Sequence, residues 1–267
     1  MVISLEDLSL PGVAPYARLT EAQLRSRQCP EKGLFIAEGG VVIEAALEAG
    51  LTPVSLLAER RLIEGGAREL LLRCGDIPVY TGESALLAQL TGFPMTRGLL
   101  AAFRRPEEKR PESVLPGARR LAVLEGIGDP SNLGTIFRSA AALGMDAVLL
   151  SPDCCDPFYR KALRTSMGAV LRIPWARFEQ GWPGAVLEDL RSRGFLTCAM
   201  ALRPEARSIR DIDGEKIAVL LGNEGKGLSQ AAIDSCDRTV LLPMSHGMDS
   251  LNVAAAAAIA FWELGKA

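Results

Sequence analysis

The feature that most restricts the fold lies in the second half of the chain. Short, mostly apolar runs at 121–124, 147–150, 171–173, 196–200, 217–221 and 240–242, broken only by Arg172 and Thr197, are spaced by segments of helical character at 133–143, 159–167, 185–193 and 228–235, with a final helix at the C-terminal end. A strand with one wet face alternates apolar and polar residues, whereas a run that is apolar throughout is covered on both faces. Helices threaded between such runs supply the two covering layers, so this half is expected to be a parallel α/β sheet. Ligands of such sheets sit in the loops that follow the strand C-termini.

The first half reads as a smaller α/β unit. A polar helix over 18–28 precedes a strand at 34–37 and a helix at 41–49 closed by Gly50; strands follow at 54–57, 79–80 and 99–103, with helices at 67–73 and 84–90. Residues 104–120, "RRPEEKRPESVLPGARR", carry three prolines and dense charge without apolar periodicity, as a linker does. The expected organisation is a first domain over 1–105, a linker over 106–118 and a second domain over 119–267.

Composition narrows the classes. Of 267 residues, 48% are hydrophobic and 23% charged, enough for cores without staples. The six cysteines, at 29, 74, 154, 155, 198 and 236, show no metal-ligand spacing and fit a reduced, cytoplasmic setting; no metal site is expected. No apolar run approaches the ~20 residues of a membrane span. A net charge of −2 argues against coating nucleic acid by bulk charge, but leaves room for a local basic patch.

Three loops carry chemistry. In "EGIGDPSNLGTIFRSAAALG", 125–144, Gly126, Gly128 and Ser131 nearly match a dinucleotide fingerprint, with Asp146 at a distance suited to a ribose. The Asp129-Pro130 pair puts negative charge where a pyrophosphate would lie. Read otherwise, the loop offers Asn132 as a helix N-cap and Arg138 further along the helix. "LLGNEGKGLS", 220–229, is no Walker loop, because Lys226 precedes a glycine; its three glycines permit close backbone approach to a ligand around Glu224. "PMSHGMDSLNVAAAAAIAFWELGK", 243–266, offers Ser250 as an N-cap, a small-residue helix surface, and the chain's one histidine, His246.

Together and in this order, "NLGTIFRSAAALG", "LLGNEGKGLS" and "LLPMSHGMDSLNVAAAAAIAFWE" closely resemble the signature motifs of the SpoU (TrmH-like) branch of the SPOUT RNA methyltransferases, over about 119–264. More loosely, "EKGLFIAEGGVVIEAALEAG", 31–50, resembles that family's L30e-like substrate-binding domain. The resemblance implies transfer of methyl from S-adenosyl-L-methionine to a ribose 2′-hydroxyl in structured rRNA or tRNA. It also implies a homodimer formed through the C-terminal domain, and a trefoil knot in that domain. By motif position, Asn132, Arg138, Glu224, Ser250 and Asn252 correspond to active-site residues, and Gly222, Gly227, Leu242, Met244 and Leu251 to cofactor contacts. His246 departs from the motif of many relatives.

The chemistry suits those roles. The donor already carries a positive charge, so the enzyme must align two reactants and sharpen a hydroxyl. A guanidinium stays protonated, which makes Arg138 a holder of phosphate and of developing alkoxide charge rather than a base. Glu224 is either a poor substitute base, if solvated, or a group that orients Arg138 or Asn132. For RNA capture the chain offers Arg18, Arg25, Arg27 and Lys32, then Arg97, Arg104 and Arg105, then Arg160, Lys161 and Arg164. Two other readings compete: a non-catalytic RNA-binding protein on the same fold, and a nucleotide-dependent oxidoreductase using the Gly126 loop.

Overall fold

The computed structural model describes residues 1–6, 8, 10–17, 33–245 and 250–265. The sequence-predicted helix at 18–28, with Arg18, Arg25, Arg27 and Lys32, and His246 lie outside the described residues. By their contacts the described residues form two compact units: those of Met1–Glu107 with Phe158–Leu171, and those of Glu108–Pro157 with Arg172–Ala267.

The first unit is built on a five-stranded mixed sheet. Its elements are β1 (Val2–Ser4), β2 (Leu34–Glu38), α1 (Gly40–Glu48), β3 (Pro53–Glu59), α2 (Arg60–Ile63), α3 (Arg68–Arg73), β4 (Val79–Gly82), α4 (Ser84–Thr91) and β5 (Leu99–Arg104). The strand order is β1-β4-β3-β5-β2, with β2 and β3 antiparallel to β5 and the other pairs parallel. Alternate residues separate its two faces. Ile36, Leu57, Leu100 and Ala102 join a core with Val13, Tyr16 and Leu87, while Phe35 stacks on Phe103 at 5.3 Å. Tyr16 is fully buried and its hydroxyl is satisfied, donating to the Ser55 carbonyl at 2.8 Å and accepting from the Ala102 N–H at 3.2 Å.

Sequence order does not show that this unit also takes in Phe158–Leu171. The Phe158 ring meets Phe35 at 5.0 Å, and Glu38, 2% exposed, pairs with Arg160 at 2.7 Å and Arg164 at 3.3 Å. A buried carboxylate without such partners costs several kcal/mol. Glu38 therefore helps to hold the segment in this unit rather than in the one that flanks it in sequence.

The second unit carries α5 (Pro111–Val114), β6 (Arg120–Leu124), α6 (Pro130–Ala142), β7 (Ala147–Leu150), β8 (Trp175–Arg177), α8 (Gly184–Ser192), β9 (Leu196–Met200), β10 (Arg207–Ser208), β11 (Ile217–Leu221), α9 (Gln230–Asp234), β12 (Arg238–Leu241) and α10 (Val253–Leu264); α7 (Arg160–Thr165) belongs to the first unit. All seven strands are parallel, in the order β10-β12-β9-β11-β6-β7-β8. Leu121, Val123, Ala218 and Leu220 form a core with Leu187 and Leu190 of α8 and Ala232 of α9, whereas α6 and α10 pack together and against β7 and β11. Each fully buried leucine of this kind contributes about 2 kcal/mol.

Three expectations need correction. Leu171-Arg172-Ile173 is not a strand; Ala169–Leu171 is a 3-10 turn and the strand begins after Pro174, at Trp175. Asn132 does not cap α6: Asp129 does, because Pro130 takes the first helical position and leaves Asp129 to accept from the Ser131 and Asn132 N–H groups. Ser250 does not cap α10 either; Asn252 does, accepting from the Ala254 and Ala255 N–H groups.

Candidate active site

The centre of the parallel sheet positions the site. β6 and β11 are neighbours, paired through Leu124 and Leu221, so the loops leaving their C-terminal ends lie side by side. The strand order departs from β6 in opposite directions at this point, which is where sheets of this class open a crevice.

Asn132 sits in the first turn of α6 with its side chain between two partners. Its Nδ2 donates to Glu224 Oε1 at 3.1 Å, and its Oδ1 accepts from Asn252 Nδ2 at 3.1 Å. Donor chemistry sets the direction of this chain. An ionised carboxylate only accepts, so it meets the Asn132 amide NH2; the Asn252 oxygen is taken by the Ala254 N–H at 2.9 Å, so Asn252 donates. Residues from all three loops are thus joined in one line, and all three line the same cleft.

The glycine-rich loop is shaped by its first residues. Gly222 runs so close to the returning chain that a Cβ there would stand 2.2 Å from the Gly227 carbonyl carbon and the Leu228 nitrogen; Gly227 itself has φ +68°. Asn223 and Gly227 exchange main-chain hydrogen bonds at 3.1 and 2.9 Å. The Asn223 side chain accepts from the Gly225 and Lys226 N–H groups and donates to the Gly126 carbonyl at 2.7 Å, tying this loop to the one after β6. Partial burial works to raise the pKa of Glu224. Hydrogen bonds from Asn132 and from main-chain N–H groups, including those of Asp129 and Gly128, outweigh it and hold the carboxyl below its ordinary value. At neutral pH Glu224 is therefore an acceptor and a weak base.

The cleft has a volume of about 680 Å³. Four of the five sequence-predicted active-site residues line it, Asn132, Glu224, Ser250 and Asn252, as do all five expected cofactor contacts, Gly222, Gly227, Leu242, Met244 and Leu251. Arg138 does not. It lies exposed on α6, with no hydrogen bond or ion pair among the described residues. Sequence reasoning missed Asp129 and Asn223. The Asp-Pro start of a helix and the Asn-x-Gly turn were available signals for them. Asp146 is no ribose ligand. Its carboxylate accepts from the Arg119 and Arg120 N–H groups at 2.7 and 2.8 Å, at the opposite end of β6. Burial, with Cys154 beside it, pushes the Cys155 thiol up to about 12, so it is protonated at neutral pH and no nucleophile. Among the described residues no group of His, Cys, Asp and Glu could hold a metal ion.

The cleft fits a nucleoside-sized ligand. Its volume is in the range of small-molecule sites, its walls mix apolar side chains with a few polar groups, and the Gly222–Gly227 approach presents bare main chain to it. Comparison with known proteins gives the same direction. The model of the SpoU rRNA Methylase family matches residues 119–262. An uncharacterised tRNA/rRNA methyltransferase of Mycobacterium bovis is 44% identical over 87% of this chain and 81% of its own length. The 23S rRNA (guanosine(2553)-2′-O)-methyltransferase RlmP of Bacillus subtilis is 31% identical over 86% of this chain and 88% of its own. Among solved structures, the SpoU methyltransferase AviRb from Streptomyces viridochromogenes in complex with AdoMet aligns with TM-score 0.78 at 26% identity, over 92% of this chain and 95% of that one. The AdoMet-bound rRNA methyltransferase from Sinorhizobium meliloti aligns with TM-score 0.77 at 26% identity, over 98% of this chain and 97% of that one.

The chain belongs to the SpoU rRNA methylase family. It is a methyltransferase acting on RNA and uses S-adenosylmethionine.

Proposed function

We propose that the enzyme methylates a ribose 2′-hydroxyl in structured rRNA or tRNA. The observation that carries this reading is the Glu224–Asn132–Asn252 chain at the edge of the cleft. It is a set of oriented hydrogen-bonding groups with no strong base, which is what alignment of a weakly acidic hydroxyl with an already activated donor requires. The name of the Bacillus subtilis relative supports the same choice of acceptor.

When bound, S-adenosylmethionine supplies an electrophilic methyl on a positively charged sulfur. Gly222, Gly227, Leu242, Met244 and Leu251 would hold it, largely through main-chain groups. Glu224 stays ionised and fixes Asn132; Asn132 and Asn252, with Ser250 beside them, hydrogen-bond the ribose and the loop. The Arg138 side chain has no hydrogen bond or ion pair among the described residues, which leaves its guanidinium to hold the neighbouring phosphate and stabilise alkoxide charge as the hydroxyl proton passes to that phosphate or to water.

Three features of the family go with this reading: an L30e-like first domain that engages RNA, a trefoil knot in the second, and a homodimer through the C-terminal domain. For the first, Arg97, Arg104, Arg105, Arg160, Lys161 and Arg164 all fall within the first unit, although Arg160 and Arg164 also serve Glu38. For the dimer, α10 presents Ile259 at 40% and Trp262 at 57% exposure on one flank, with Leu251 at 45% nearby in sequence. An exposed apolar flank of that kind marks a protein contact.

The test is to incubate the protein and labelled S-adenosylmethionine with total RNA lacking modifications and to map the labelled positions. Label on ribose 2′-oxygens is expected. Label confined to bases would overturn the assignment of the acceptor.

A further inference from the structure

Glu125 follows β6 directly, is 7% exposed, and does not line the cleft. Its carboxylate nonetheless accepts three hydrogen bonds, two of them from the residue that follows the glycine-rich loop. Oε1 accepts from the Trp182 Nε1–H and the Ser229 hydroxyl, each at 2.7 Å, and Oε2 accepts from the Ser229 N–H at 2.7 Å. Its own N–H donates to the Leu221 carbonyl at 2.9 Å. Leu221 is the residue before the loop and Ser229 the residue after it. One residue therefore grips both ends of the 222–228 segment, by its main chain at one end and its side chain at the other.

That placement has a physical purpose. The segment contains Gly222, Gly225 and Gly227, which order at a large entropic cost and supply no side chains to pack. Pinning both ends shortens the loop that thermal motion can explore. A carboxylate is suited to the task, since bonds to an ionised acceptor are about twice as strong as neutral ones. Burying it is costly unless it is hydrogen-bonded, and three donors occupy most of its roughly four acceptor sites. Ser229 in turn caps α9, accepting from the Ala232 N–H at 3.1 Å, so the grip extends to the element that follows the loop.

We propose that Glu125 is a positioning residue for the cofactor, acting through Ser229 to hold 222–228 in the shape that receives S-adenosylmethionine. This rests on reading the cleft as the cofactor site. Glu125→Gln is the informative change: the amide keeps one acceptor and turns the other into a donor that faces a donor. Ser229→Ala removes only the hydroxyl link. Trp182→Phe removes a donor to the same carboxylate without touching the loop, and serves as the control for simple loss of core stability.

The full-length variants should be compared in three ways: calorimetric binding of S-adenosylmethionine without RNA, amide hydrogen exchange of 222–228 without cofactor, and thermal melting. The expected pattern is about tenfold weaker binding and faster exchange in Glu125→Gln, a smaller shift the same way in Ser229→Ala, and unchanged affinity with a lowered Tm in Trp182→Phe. At saturating cofactor, turnover of Glu125→Gln should stay near that of the parent, placing the effect in KM. Wild-type affinity and exchange in Glu125→Gln would overturn the proposal, as would equal weakening in Trp182→Phe. If Glu125→Gln does not fold, Ser229→Ala decides in the same terms. Failure of the unaltered protein to bind S-adenosylmethionine would count against the cofactor reading instead, and the exchange of 222–228 would still decide whether Glu125 holds the loop.

Discussion

Asn252 and Asn132 stand 120 positions apart in sequence and share a hydrogen bond of 3.1 Å. Each has a second commitment: Asn252 caps α10, and Asn132 holds Glu224. The two residues therefore separate fold from chemistry. Because Asp129 caps α6, Asn132→Ala leaves that helix intact and should cut turnover by roughly 10²–10³ while barely moving Tm. Asn252→Ala removes a cap as well, and should lose about 1 kcal/mol of stability along with activity. Parallel melting and initial-rate measurements check this; a large Tm loss in Asn132→Ala would place that residue in the scaffold.

Arg138 is exposed and outside the cleft lining. Arg138→Ala should keep its stability within about 0.5 kcal/mol and retain affinity for S-adenosylmethionine while turnover on RNA is abolished. Arg138→Lys should recover little, since a lysine cannot reproduce bidentate contact with phosphate. Loss of cofactor binding in Arg138→Ala would remove Arg138 from the substrate side of the reaction.

The lowered pKa of Glu224 sets a direction for acid sensitivity. A carboxyl that ionises more readily in the folded protein than in the unfolded chain stabilises the fold above its ordinary pKa, about 4.3, and loses that contribution as pH falls through the lowered value. The Tm difference between the parent and Glu224→Gln should accordingly be present near neutrality and shrink as the solution is acidified below about pH 4. A difference that widens on acidification would reverse the sign.

Two glycines in one loop should behave differently. A Cβ at Gly222 would meet main-chain atoms at 2.2 Å, whereas one at Gly225 would find its nearest neighbour, Asn223 Oδ1, at 3.6 Å. Gly222→Ala should abolish S-adenosylmethionine binding and lower Tm; Gly225→Ala should do neither. Equal tolerance in a binding assay would show that the loop can open without loss.

The inner strands of the second unit were legible because burial on both faces leaves a continuous apolar signature, as in Ile217–Leu221. Arg207–Ser208 was not: it is a short edge strand of polar residues with no such signature. The cleft residues were legible through the ordered motifs. Their geometry was not, since Ser250 and Asn252 are both good caps two residues apart and only the position of the Ala254 and Ala255 N–H groups separates them. Asp146 was misread because distance along the chain does not say at which end of a strand a carboxylate lies. Nothing local in Phe158–Leu171 marks it for the first unit; that assignment depends on Glu38 and Phe35, more than a hundred residues upstream.

That last arrangement bears on how the chain is made. A ribosome releases residues in order, and domains generally fold as they emerge. The first 107 residues cannot finish their own unit when they leave the tunnel, because Arg160, Arg164 and Phe158 have yet to be synthesised. Until then Glu38 lacks Arg160 and Arg164, and Phe35 has Phe103 but not Phe158. The strands β6 and β7 of the second unit are already out by that time, so the nascent chain must keep an unfinished first fold open while the next begins.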